Sequence, residues 1–164
     1  MTSTRDFTKA DVDFQSALAV AVKAHATQLD KQGEPYILHV IRVMQAVPNH
    51  LRVPALLHDV LEDTPYTEDM LTWLGFSATD VTIVGYLTRD KSKPYKEYIQ
   101  RMLDLTEDVV RESVITIKVE DLWDNFTRGA EFPSLQARYV VALDMLGYTV
   151  LELGDERWRL TKKD

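Results

Sequence analysis

Val110-Arg-Glu-Ser-Val-Ile-Thr-Ile-Lys-Val-Glu-Asp-Leu-Trp-Asp-Asn125 is the stretch on which the fold class turns. Its centre, residues 114–119, is β-branched enough to suggest a strand. The apolar spacing says otherwise, because Val110, Val114 and Ile117 recur at four and three residues, one face of a helix. Continuing that stripe by four and eight residues reaches Asp121 and Asn125. The segment therefore reads as part of a helix over about 107–126, opened by Thr106-Glu107-Asp108.

The same periodicity extends outward along the chain. Phe14, Leu18, Ala21, Val22, His25 and Leu29 mark a helix over 12–29, which Gln32-Gly33-Glu34-Pro35 breaks. A second helix is predicted over 35–47, before Pro48-Asn49. Pro54 opens a third, which carries Ala55, Leu57, His58, Leu61 and Glu62 and closes at Thr64-Pro65. Thr67, followed by Glu68 and Asp69, suits an N-cap. A helical turn around 80–87, a basic loop from Arg89 to Lys93 and a short helix over 94–104 follow. The last helix is predicted over 134–153, on the stripe Leu135, Tyr139, Ala142, Leu146, Val150 and Leu153. No strand is expected. The fold class is all-α, a compact helical bundle with residues 1–164 forming a single domain.

Composition narrows the chemistry. The 164 residues include no cysteine, which excludes disulfide scaffolds, zinc–thiolate sites and thiol nucleophiles. Lys and Arg number 19 against 26 Asp and Glu, and the net charge of −7 is a poor footprint for nucleic acid. No run approaches the ~20 apolar residues of a membrane helix. The N-terminal segment MTSTRDFTKADVD carries no apolar signal core. The expectation is a soluble, cytoplasmic protein that binds neither nucleic acid nor membrane, and the sequence leaves room for a homo-oligomer.

Several polar groups sit where an all-α core wants apolar ones. Asp121 continues a buried stripe, and a carboxylate there is costly unless it is paired or binds a cation. His39 lies between Ile37-Leu38 and Val40-Ile41, so its ring points into the bundle. His58-Asp59 is followed one turn later by Glu62-Asp63. Singly, each histidine is more simply a hydrogen-bonded core residue. Together, two imidazoles and two carboxylates from three helices make a mixed nitrogen–oxygen ligand set suited to Mn, Fe, Co, Ni or Zn.

Four motifs, His25-Ala-Thr-Gln28, Gly33-Glu-Pro-Tyr-Ile-Leu-His39, Leu56-Leu-His-Asp-Val-Leu-Glu-Asp-Thr64 and Ile117-Lys-Val-Glu-Asp121, occur in an order that resembles the HD-domain metal phosphohydrolases. More narrowly, they resemble the hydrolase domain of the RelA/SpoT family and its small stand-alone members, which remove the 3′-pyrophosphate from (p)ppGpp. The resemblance covers about residues 14–125. It implies His39, His58, Asp59 and Asp121 as metal ligands, with Mn²⁺ the expected ion. It implies Glu62 and Asp63 as the pair that orients and activates the attacking water, and Lys31 and Asn125 as substrate contacts. His25 matches a family position that is not a ligand. A divalent cation lowers the pKa of water and polarises a phosphoryl oxygen, and a nearby carboxylate can take the proton.

The chain departs from the family at named positions. Asp30 stands where the family usually has an arginine, Val40 replaces a proline, and the family's LADRLHN reads here Val119-Glu-Asp-Leu-Trp-Asp-Asn125. Two other functions stay open. One keeps the HD chemistry on another nucleotide or a phosphorylated dinucleotide cofactor. The other is a nucleotide-binding module without turnover, against which the complete ligand set and the Glu62-Asp63 pair argue. The aromatic residues Trp73, Tyr86, Tyr95 and Tyr98 are candidate base contacts, and Arg89, Lys91, Lys93 and Lys96 candidate phosphate contacts.

Overall fold

The computed structural model describes residues 9–129, 132–154 and 157–163. The start of the polar N-terminal segment, residues 1–8, lies outside them. Helix α1 (Lys9–Ala24) buries Ala17, Val20 and Ala21 against α3. It stops earlier than its stripe suggested: Val22 is exposed, and Leu29 lies in the following loop, bridged to Pro35. Helix α2 (Ile37–Ala46) buries His39, Val40, Val43 and Met44.

After a 3₁₀ turn (Asn49–Leu51), the predicted third helix is present but broken. Helix α3 (Arg52–Leu57) ends before His58, and α4 (Val60–Asp63) begins after Asp59. The break falls on the His58-Asp59 doublet, with Asp59 at φ −104° and ψ −1°. Helix α3 packs against α1, α2 and α6, so Ala55, Leu56 and Leu57 are fully buried and His58 follows them into the core.

Helix α5 (Glu68–Trp73) has the expected cap, since the Thr67 hydroxyl accepts from the Met70 amide at 3.2 Å. Ser77 caps α6 (Ala78–Leu87) in the same way, accepting from the Asp80 amide at 3.0 Å. Helix α7 (Tyr95–Leu103) follows the basic loop, and α8 (Asp108–Arg128) is the long helix on which the fold class turned. Val110, Val114, Ile117 and Asp121 are all buried on α8, as the four-and-three spacing requires. Helix α9 (Pro133–Met145) packs on α8 and α7.

The C-terminal segment corrects the expectation of a helix to residue 153. Helix α9 ends at Met145, and Tyr148–Gly154 (β1) pairs antiparallel with Arg157–Lys162 (β2). Gly147 explains the switch: at φ +87° it leaves the helix through the left-handed region. Tyr148, Thr149 and Val150 then suit a strand better than a helix. The stripe Leu146, Val150, Leu153 misled because its spacing fits a helix, whereas in the ribbon Val150 is half-buried and Leu153 is exposed. Trp158 of β2 meets the Phe126 ring edge-on at 5.2 Å, which ties the hairpin to α8. The architecture stays a helical bundle with this small ribbon added. A Cβ at position 147 would meet nothing within 4 Å. Gly147→Ala therefore tests backbone strain alone, and denaturant titration should show a loss of about 1–2 kcal/mol.

Candidate metal centre

Three local devices deliver four side chains. His39 sits in the first turn of α2, His58 and Asp59 in the break between α3 and α4, and Asp121 on the buried face of α8. One ligand atom from each lies within 4.8 Å of every other. His39 Nε2 is 3.2 Å from Asp121 Oδ1 and 3.7 Å from Asp59 Oδ2, and His58 Nε2 is 3.0 Å from Asp59 Oδ2. Neither Nε2 has a hydrogen-bond partner, although both are buried. Buried polar atoms normally find partners, so two such orphans facing two carboxylates fit a cation.

The surroundings fix the geometry of the cluster. His58 Nδ1 lies 2.7 Å from the Ala55 carbonyl oxygen, and His39 Nδ1 lies 2.7 Å from Asp124 Oδ2. Tyr36 Oη donates to Asp59 Oδ2 at 2.5 Å. Lys118 Nζ donates to Asp121 Oδ2 at 2.6 Å, and Asn125 Nδ2 donates to Asp121 Oδ1 at 2.7 Å. Burial alone would raise the Asp121 pKa, but the Lys118 ammonium and the two imidazoles hold it well below the carboxylate range. Asp59 is likewise held low against its burial, chiefly by His58.

His39 responds in the opposite sense. Burial would lower its pKa, but the carboxylates of Asp121 and Asp124 raise it to about 10 in the metal-free protein. The protonated ring thus stabilises the metal-free fold fully below the ordinary value of 6.5, and this contribution fades as pH rises through about 10. A cation needs the Nε2 lone pair, so its binding expels the proton. Affinity for a divalent ion should therefore climb with pH toward about 10. Calorimetry in buffers of different ionisation heat at about pH 8 should show roughly one or more protons released per ion. No release would mean His39 is not a ligand.

Glu62 and Asp63 stand beside the cluster, on α4. Glu62 Oε2 accepts from the Arg89 amide at 3.0 Å, and Lys91 Nζ lies 3.2 Å from Asp63 Oδ1. Burial raises the Glu62 pKa, with the Arg89 amide partly offsetting it. All six acidic and imidazole groups except His58 line one cavity of about 480 Å³. Lys31 and Asn125 line it too, and Lys31 Nζ donates to Tyr139 Oη at 3.3 Å.

Of the other candidates, Tyr95, Tyr98, Arg89 and Lys91 line the cavity. Trp73 is 85% exposed on α5, Tyr86 stacks under Arg101, and neither Lys93 nor Lys96 lines it. Asp30 lines it, but its Oδ1 accepts from the Gln32 and Glu34 amides at 2.9 Å each, so it braces its own loop. His25 Nδ1 pairs with Gln28 Oε1 at 2.8 Å, behind Tyr36. The cavity also holds residues that the sequence did not single out, among them Tyr36, Arg42, Lys118, Asp124, Arg138 and Tyr139.

No family model matches the chain. It is 35% identical over 133 residues to the guanosine-3′,5′-bis(diphosphate) 3′-pyrophosphohydrolase of Haemophilus influenzae, covering 73% of this chain and 19% of that protein. It is 35% identical over 136 residues to the bifunctional (p)ppGpp synthase/hydrolase SpoT of Escherichia coli, 76% of this chain and 19% of the other. The corresponding pyrophosphohydrolase of Aquifex aeolicus is 32% identical over 123 residues, 69% of this chain and 17% of that protein. The chain is a relative of the RelA/SpoT-type hydrolases. Its RelA/SpoT-type fold is shared with a solved structure described as a metazoan ortholog of SpoT that hydrolyzes ppGpp, with a TM-score of 0.67 over 87% of this chain and 86% of that one at 24% identity. The chain spans about a fifth of the length of the curated bacterial relatives it matches. Among the described residues no helix is long and apolar enough to cross a membrane.

Proposed function

We propose that this RelA/SpoT relative is a metal-dependent phosphohydrolase, one HD-type domain over residues 1–164, that removes the 3′-pyrophosphate from (p)ppGpp in the cytoplasm. One observation carries the reading: two unpartnered imidazole nitrogens and two carboxylates converge within 4.8 Å at the wall of a cavity that also holds Glu62 and Asp63. His39, His58, Asp59 and Asp121 would hold the ion, with Mn²⁺ favoured by the nitrogen–oxygen donor set and the family resemblance. Held there, it would polarise a phosphoryl oxygen and make water more acidic. Glu62, with its raised pKa, takes the proton of the attacking water, while Asp63 orients that water and is itself held by Lys91. Lys31, and Asn125 beside Asp121, contact the substrate.

A second reading, the same chemistry on another nucleotide or a phosphorylated dinucleotide cofactor, is favoured by Asp30. Its position in the cavity wall brings an acid where the family usually has a cation. A panel of phosphorylated nucleotides with Mn²⁺, with orthophosphate and pyrophosphate read separately, decides between them. Pyrophosphate released from ppGpp is the expected result. Orthophosphate from a different nucleotide, with ppGpp inert, would favour the second reading.

A further inference from the structure

Both imidazoles of the cluster turn Nε2 inward, and each is held that way through Nδ1. His58 uses a backbone carbonyl of its own turn, Ala55 at 2.7 Å. His39 has no such local acceptor and reaches across to α8, where Asp124 Oδ2 lies 2.7 Å from Nδ1. Asp124 is in turn gripped by Arg42, with Nε donating to Oδ1 at 2.6 Å and Nη2 to Oδ2 at 2.9 Å. We propose that Asp124, clamped by Arg42, is a positioning residue that sets the ring orientation and tautomer of His39. This rests on the reading of His39 as a metal ligand.

The geometry is reciprocal. Helix α2 supplies His39 and, three residues on, Arg42; helix α8 supplies Asp121 and, three residues on, Asp124. On a helix that spacing puts both members of each pair on one face. The four side chains thus close a ring between the two helices, ligand facing ligand and clamp facing clamp. An ionised carboxylate only accepts hydrogen bonds, so Nδ1 must carry the proton and a neutral ring leaves its lone pair on Nε2. Rotating the ring would exchange that bond for a protonated nitrogen in the cluster. The Asp124 and Arg42 side chains are 15% and 31% exposed, so the guanidinium neutralises a partly buried charge while leaving its acceptor in place. Carboxylate partners of metal-bound histidines typically contribute about 10–100-fold in affinity.

The test is calorimetric titration of Mn²⁺ into the wild-type protein, Asp124→Asn, Arg42→Gln and His39→Ala. Thermal melting of each metal-free protein and kinetics at saturating Mn²⁺ accompany it. Asp124→Asn should weaken Mn²⁺ binding by about 10–100-fold and Arg42→Gln by less, while saturating Mn²⁺ restores most turnover at an unchanged substrate KM. A purely structural ion pair would lower the melting temperature and leave the affinity alone. Affinity within about twofold of wild type in Asp124→Asn overturns the inference. If that variant does not fold, the same result in Arg42→Gln overturns it. A wild type that takes up no Mn²⁺, or a His39→Ala variant that binds it unimpaired, overturns the metal reading itself and the inference with it.

Discussion

Asp121→Ala should remove both the bound metal and all measurable turnover. Asp121 Oδ1 lies 3.2 Å from His39 Nε2 and 3.9 Å from His58 Nε2, so it is the carboxylate between both imidazoles. Its other oxygen balances Lys118, whose ammonium is buried, lies 5.2 Å from the Tyr98 ring centroid and stays charged because of Asp121. Truncation therefore costs more than a ligand. It strands a buried cation, and breaking such a pair typically costs about 3–5 kcal/mol of stability. Asp121→Asn keeps the shape and separates the effects: it should fold, retain the Asn125 contact in altered form and still fail to hold Mn²⁺. Metal content after gel filtration, with circular dichroism as the control for folding, reads both variants. Stoichiometric metal in a folded Asp121→Asn protein would remove Asp121 from the ligand set.

Glu62→Gln should behave oppositely, keeping the ion and losing turnover by about 10²–10⁴-fold. Glu62 is outside the group of four, and its Oε2 is already engaged by the Arg89 amide. That bond aims the carboxylate into the cavity without taking it to the imidazoles. The raised pKa has a signed consequence: the base is active only when ionised, so activity should fall as pH drops through a value above that of an ordinary glutamate. Glutamine cannot take the proton, and the residual rate should lose that acidic limb. Loss of metal from Glu62→Gln would instead make Glu62 a ligand.

The cluster of four could be found in the sequence because each member violated a local rule. Asp121 stood on an apolar stripe, His39 interrupted one, and His58-Asp59 fell inside a run of buried leucines. The helical period therefore announced them before any contact was known. The partners that tune them had no such signature. Arg42 and Asp124 look like ordinary solvent-facing charges, and they meet across 82 residues of chain. Tyr36 and Lys118 are likewise unremarkable until Asp59 and Asp121 are placed beside them. The helix break at His58-Asp59 was hidden because both flanking segments are helical. The C-terminal ribbon was missed because Gly147 alone signalled the turn, while its neighbours kept a helix-compatible spacing. Asp30 lines the cavity and also braces its own loop, a second role that its position in the sequence did not announce.

The most direct measurement is pyrophosphate release from ppGpp by the purified chain, before chelation, after chelation and after readdition of Mn²⁺. The expected result is release of pyrophosphate with a guanosine 5′-diphosphate left behind, its loss when the ion is stripped, and recovery with Mn²⁺. Hydrolysis that persists undiminished in the fully stripped protein would contradict a reaction centred on His39, His58, Asp59 and Asp121.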